Sequence, residues 1–532
     1  MTGASSGHYA YADKEPLELT SDYVVVGSGA GGSAAAVILA RAGYRVVVVE
    51  AGPWRDPEDY PSTMLGTMRD MMPDWGANVA IGDSVMPIVQ AAVVGGGTVI
   101  NSAIMVRTPA DVLADWRDDH GLGDVFSERS VHAQQDAIAA ELSVAATPTG
   151  RHFGVNNARL LEGLQRRGVE VHPTDRNVKD CIGSGRCMQG CRTGAKRSTQ
   201  LSWLPEVIAR GGAVISCAPV DRVRVQHATA EGVFGRFRHP RSRQRGATFA
   251  VRARRGVILA ASATQTPLIL HRSGIRPPAL GAYWRAHPGA AIMGVYDEPI
   301  DLENGATQGT ASIHFRGGIN ARGERSDGVG IKLESLALPL ELIAGRVSGA
   351  GRTLVDRLAE ARHQALWIAA VRAEAVGSCR PGFFGQASVK YRPTAADRAA
   401  VRAGARLLAE VHFDSGARAV RPGIYGLPFE ISRDQLHLLQ DDRIDNRALT
   451  WVLSHLFGGA VLGSDPQRSV VDPDLNVRGV AQLHVACASA LPTTLGVNPQ
   501  HTIMAVARII AGRLANRTFT TTPSKPSTRS TT

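Results

Sequence analysis

The sequence predicts an α/β protein, α+β overall, in which a discontinuous Rossmann-like nucleotide-binding domain is joined to a second domain of mixed sheet and helices. Three observations predict it. Residues 23–50 read, in order, as strand, glycine turn, helix, strand and acid. Glycine- and small-residue-rich segments recur far along the chain, at 94–107, 256–275 and 454–505. Residues 286–450 mix alternating stretches, such as Ala311–Phe315 and Gln386–Tyr391, with a helical stretch near Arg352–Val371. A length of 532 residues accommodates two large domains, and 44% hydrophobic against 20% charged residues suits a buried core.

The first segment carries a physical rationale at each position. An apolar strand, Tyr23–Val26, runs into Gly27-Ser-Gly29-Ala-Gly31-Gly32, followed by an Ala-rich helix to Gly43 and a strand Arg45–Val49 that ends at Glu50. Gly27 permits the tight turn, Gly29 lets the backbone approach a pyrophosphate, and Gly32 lets helix and strand pack closely. The helix start then presents free N–H groups and the positive end of its dipole to the phosphates. Glu50, about twenty residues on, is placed to accept hydrogen bonds from ribose hydroxyls. The segment therefore predicts a bound dinucleotide.

A second cluster, Val94-Gly95-Gly96-Gly97-Thr98-Val99-Ile100-Asn101-Ser102 with Arg107 beyond it, resembles the glucose-methanol-choline (GMC) family of flavoenzymes. The resemblance implies FAD as the dinucleotide, with Gly96, Gly97 and Asn101 beside it. Where some members attach flavin through a His before this Asn, Ile100 has no nucleophile, so FAD is expected to be held non-covalently. Residues 256–275 are similar to the second family signature, a strand feeding a helix through a small-residue turn. Ser262 departs from it, standing where the family usually has Gly. Val220 lies where the family presents backbone to the adenine.

The C-terminal region carries the densest resemblance. Read alone, His455 between Leu453 and Leu456 suggests a core histidine. In the GMC pattern a His followed by two small residues and a Gly is the active-site acid/base, and its partner, His or Asn, precedes Pro-x-x-Thr-Ile. By position His455 is the first and Asn498, before Pro499, the second, while His501 falls three residues late and reads as support. A histidine titrating near neutrality can take the hydroxyl proton as hydride leaves carbon for flavin N5, and a carboxamide can orient the hydroxyl. Cys487, followed by Ala488, replaces the family's usual Asp beside the flavin.

Cys181, Cys187 and Cys191 fall in Cys181-x5-Cys187-x3-Cys191, three of six cysteines in the chain. The stretch Cys187-Met-Gln-Gly190-Cys191-Arg-Thr-Gly194-Ala-Lys196 resembles the fatty-alcohol oxidase branch, with cholesterol oxidases also near in motif. That branch implies reduced cysteines and no metal. An alternative is the three-iron four-sulfur site that some GMC dehydrogenase subunits build on the same spacing.

The resemblance divides the chain into an N-terminal arm (1–20), a FAD-binding domain in two parts (21–285, with the Cys-rich loop 181–196, and 451–515), a substrate-binding domain (286–450) and a disordered tail (516–532). It implies FAD-dependent oxidation of a primary or secondary alcohol to aldehyde or ketone, the flavin being reoxidised by dioxygen or another acceptor. A redox-neutral hydroxynitrile-lyase-like reaction is the alternative from another class, and an iron–sulfur electron-transferring dehydrogenase a third. The net charge of +11 comes from scattered arginines rather than a basic run, so no nucleic-acid partner is expected. The first twenty residues show no signal peptide, and no stretch reaches the ~20 apolar residues of a membrane span, so a cytoplasmic protein is expected.

Overall fold

The computed structural model describes residues 7–383, 385–440 and 444–516, so the expected disordered tail lies almost wholly outside the described residues. Two sheets organise the molecule. The first has at its heart the strands Ala213–Ile215, Val46–Val49, Leu17–Val26, Arg245–Leu259 and Leu483–Val485, all parallel. Val46–Val49 is four valines, each buried, as expected of a parallel strand covered on both faces. The helix Ala30–Arg41 covers one face with alanines whose small side chains allow close packing. Arg245–Leu259 is long enough for two tasks. Its C-terminal end joins the parallel core, and its N-terminal end closes an antiparallel meander with Thr229–Arg238 and Val220–Gln226.

The second sheet is antiparallel where it matters for the site, in the order Ala419–Arg421, Arg285–Val295, Gln364–Val371, Ile331–Ser335, Thr310–Ser312. Its back is covered by the helix Ala395–Asp414, which buries Ala400, Val401, Leu407 and Leu408. That helix starts at a capping box: Asp397 N–H donates to the Thr394 hydroxyl (3.0 Å), and Thr394 N–H donates to the Asp397 carboxylate (2.8 Å).

Two expectations change here. The helix expected over Arg352–Val371 is only Gly351–Ala359, followed by a short 3-10 turn, and Gln364–Val371 is a strand. Leu366, Trp367, Ala369 and Val371 are fully buried there between two neighbouring strands, so tertiary burial of aromatic and β-branched side chains wins over local helical pattern. The strand Val452–Phe457, assigned from sequence to the second part of the FAD-binding domain, pairs instead with Arg285–Val295 in the second sheet. The register places His455 opposite His287, with an irregularity at Pro288, which has no N–H to give the ladder.

Candidate active site

The two glycine-rich segments meet. Gly27 has φ +99° and Gly96 φ +53°, and a Cβ on Gly96 would stand 2.6 Å from the Cα of Gly29. Gly95 N–H donates to the Ser28 hydroxyl (2.9 Å). Gly32 packs its helix onto the turn, since a Cβ there would lie 1.9 Å from the Gly27 carbonyl oxygen, and Gly31 fits against the Ala486 carbonyl in the same way. Gly97 opens the short helix Gly97–Ile100, with open space where a Cβ would stand. Glu50 is buried at the end of its strand. Its carboxylate accepts from Ser28 N–H (2.9 Å), the Ser28 hydroxyl (2.7 Å) and Gly52 N–H (2.9 Å), and burial pushes its pKa up against those hydrogen bonds.

The other predicted residues surround these turns or tie them to the second sheet. The Asn101 side chain accepts from Ala103 N–H (3.0 Å) and donates to Gln500. Val220 is buried, its carbonyl accepting from Arg272. Cys487 is buried with its sulfur 3.0 Å from the Ser489 hydroxyl, and the Ala488 carbonyl accepts from Gly458 N–H (3.0 Å), just beyond the His455 strand. Pro499 caps the helix Gln500–Ala515, leaving Asn498 immediately before it.

His455, on its strand, and Asn498, before its helix, come together, Asn498 Nδ2 standing 3.4 Å from His455 Nε2. His501 does not join them. Its Nε2 donates to the Gln135 carbonyl (2.9 Å) on another helix. Around the pair stand three residues that sequence reasoning missed: His287, Lys332 and Glu334. Lys332 and Glu334 sit two apart on Ile331–Ser335 and so share one face of the sheet, while Leu333 between them joins the core on the other. Both are buried and form an ion pair of 2.8 Å. Lys332 Nζ also donates to Asn498 Oδ1, and Asn498 Nδ2 donates to Glu334 (3.2 Å). The charges at alternate positions of an apolar strand were the available sequence signal.

The histidines form a wired pair. Gly496 N–H donates to His287 Nε2 (3.0 Å), which leaves the His287 hydrogen on Nδ1, 3.2 Å from His455 Nδ1. His455 then carries its own hydrogen on Nε2. Asn498 Nδ2 competes for that nitrogen at 3.4 Å, and the shorter Gly496 contact sets the tautomer. Burial lowers the pKa of His455 to about 4 and that of His287 well below its ordinary value, so both rings are neutral near pH 7. Burial pushes the Glu334 carboxyl up, but the Lys332 ammonium outweighs it and holds the group below its ordinary value.

Family profiles described as GMC oxidoreductase match residues 21–289 and 385–507. The chain belongs to the GMC oxidoreductase family. It is 34% identical to an uncharacterized GMC-type oxidoreductase of Mycobacterium tuberculosis over 93% of this chain and 76% of that one. It is 27% identical to a long-chain-alcohol oxidase of Arabidopsis thaliana over 94% of this chain and 68% of that one. Formate oxidase of Aspergillus oryzae superposes with a TM-score of 0.69 at 17% identity, covering 94% of this chain and 98% of that one, which shows the common fold.

GMC oxidoreductases are FAD-binding flavoproteins, and the residues present fit FAD. The close approach of Gly29 and Gly96 leaves no room for side chains between the turns, and Gly29 precedes its helix without a side-chain cap to take up the free N–H groups. Ile100, buried before Asn101, cannot bond covalently to flavin. Acid precipitation should therefore release all yellow colour to the supernatant, and colour kept in the pellet would show a covalent link elsewhere.

Ser262 shows why the family uses glycine. It stands at φ +82° as the first residue of the helix Ser262–Arg272, a strained conformation for a residue with a Cβ. Its hydroxyl lies 3.3 Å from Gln90 Nε2. The hydroxyl also accepts from the N–H groups of Thr264 (3.4 Å) and Gln265 (3.3 Å). Ser262→Gly should relieve the strain but give up these long hydrogen bonds, so the net gain in stability should stay below about 1 kcal/mol. Urea midpoints of the two proteins check this.

Among the described residues, no helix is long and apolar enough to cross a membrane, and no group of three or more His, Cys, Asp or Glu residues is arranged to hold a metal ion.

Proposed function

We propose that this oxidoreductase oxidises a primary or secondary alcohol to the aldehyde or ketone, with dioxygen or another acceptor reoxidising the flavin. The observation that carries the reading is the buried Lys332–Glu334 pair, hydrogen-bonded to Asn498 and standing beside the neutral His455. Three of these groups, Lys332, Asn498 and His455, donate hydrogen bonds and the fourth is a carboxylate, as removal of a hydroxyl proton requires. Similarity to long-chain-alcohol oxidases supports the alcohol class.

FAD, when bound, accepts the hydride. His455 Nε2–H and the Asn498 amide hold the alcohol oxygen and stabilise the negative charge that develops there. The sequence reading gave the hydroxyl proton to His455. The tautomer set by Gly496 and His287 favours Glu334 as acceptor, because His455 Nε2 already bears a hydrogen. Lys332 keeps that carboxylate ionised and, through Oδ1, turns the Asn498 amide toward it.

Anaerobic addition of aliphatic, aromatic, terpenoid and steroid alcohols to the FAD-loaded protein tests the reading. At least one class should bleach the oxidised-flavin band with formation of the carbonyl product. Cleavage of a hydroxynitrile without bleaching would replace it with the lyase reaction.

A further inference from the structure

The loop 181–196 is tied to the segment 99–102 by two buried cations whose partners are unusual. Arg176 is fully buried. Its Nε donates to the Ser102 carbonyl (2.8 Å), its Nη2 to Cys187 Sγ (3.2 Å), and its Nη1 has no partner. Lys196, 2% exposed, donates from Nζ to the carbonyls of Val99, Asn101 and Cys187, which accounts for all three ammonium hydrogens. Both positive charges thus meet backbone carbonyls and one sulfur. Burying a cation without an anion is costly, and the thiol of Cys187, the cysteine in contact with Arg176, can become one. Cys181, Cys187 and Cys191 line, with Arg176 and Lys196, a cavity of about 10 Å³, room for one water-sized molecule.

We propose that Cys187 is an ionised thiolate and a modification site, reacting with small soft electrophiles such as hydrogen peroxide that reach this cavity. Burial by itself would push its pKa up, and the Arg176 and Lys196 charges bring it below the ordinary thiol value. Cys187 is partly accessible, whereas Cys217 and Cys379 are buried and pushed up to about 11 and about 12. With peroxide, the thiolate sulfur attacks one oxygen, the O–O bond breaks and hydroxide leaves to take a proton from solvent. Sulfur is oxidised by two electrons to the sulfenic acid. The same two cations hold the carbonyls of Val99, Asn101 and Ser102, so neutralising the thiolate alters the support of the glycine-rich turn. This inference stands on the loop and its cations, and it holds whether or not the substrate is an alcohol.

The test is alkylation of the full-length, FAD-loaded protein by iodoacetamide between pH 5 and 9, with each cysteine followed by peptide mass mapping. The rate at Cys187 should reach half its plateau at a lower pH than a free-cysteine control. Cys217 and Cys379 should stay unlabelled. Hydrogen peroxide followed by dimedone should mark Cys187. Arg176→Gln should move the midpoint up, and if that variant does not fold the wild-type profile decides alone. A Cys187 midpoint at or above the control, or no Cys187 labelling where Cys181 labels, overturns the proposal.

Discussion

Glu334→Gln is expected to slow reduction of bound flavin by an alcohol by about 10²–10⁴-fold, the usual worth of a positioned acid or base. The amide keeps the size of the carboxylate and can still face Asn498, so the loss falls on proton removal. The pH profile follows from the Lys332 ion pair. Because the carboxyl lies below its ordinary value, the rate of flavin reduction should stay level from neutral to mildly acidic pH and fall only as pH drops through that depressed pKa. The same sign holds for stability: the pair's contribution is present above the unfolded carboxyl value and is lost as pH falls through the folded one. Removing one charge also leaves the buried Lys332 ammonium unpaired, at a cost of about 3–5 kcal/mol. Lys332→Met combined with Glu334→Gln separates the two effects. The double variant should regain stability in urea and remain slow in stopped-flow reduction. Recovery of the rate along with stability would remove Glu334 from the reaction.

His455→Ala should leave FAD content near wild type and slow flavin reduction by about 10²–10³-fold, the range for losing one donor to developing oxyanion charge. FAD is spared because the side chain contacts His287 and Asn498 and, among the described residues, makes no hydrogen bond to the glycine turns. Asn498→Ala should also slow the reaction, and His501→Ala should matter less, since its ring is engaged with the Gln135 carbonyl. A larger loss for His501→Ala than for Asn498→Ala in single-turnover reduction would reverse the assignment of the second residue.

These residues differ in how readily they are found along the chain. Gly27, Gly29, Gly32 and Glu50 were legible because a nucleotide turn is a local device: positive φ, close approach and a following acid all fall within one strand–helix–strand unit. His455 and Asn498 were legible only through their resemblance to the GMC pattern, since neither neighbourhood states a partner. His287 carried no local signal. Its part depends on the register that sets it opposite His455 and on a backbone N–H from Gly496 more than two hundred residues away. The strand Gln364–Val371 was misread as helix because a short apolar run has no decisive period, and its neighbours in the sheet decide.

The sequence by itself determined the nucleotide fold and the flavin family, because these rest on short patterns whose chemistry is complete within a few positions. Only the tertiary structure decided that the His455 strand belongs to the second sheet, that Lys332 and Glu334 reach Asn498, and that Cys187 faces two buried cations. The physical reason is common to all three. Protonation, tautomer and charge pairing depend on which groups share a dry space, and strand pairing across hundreds of residues sets that.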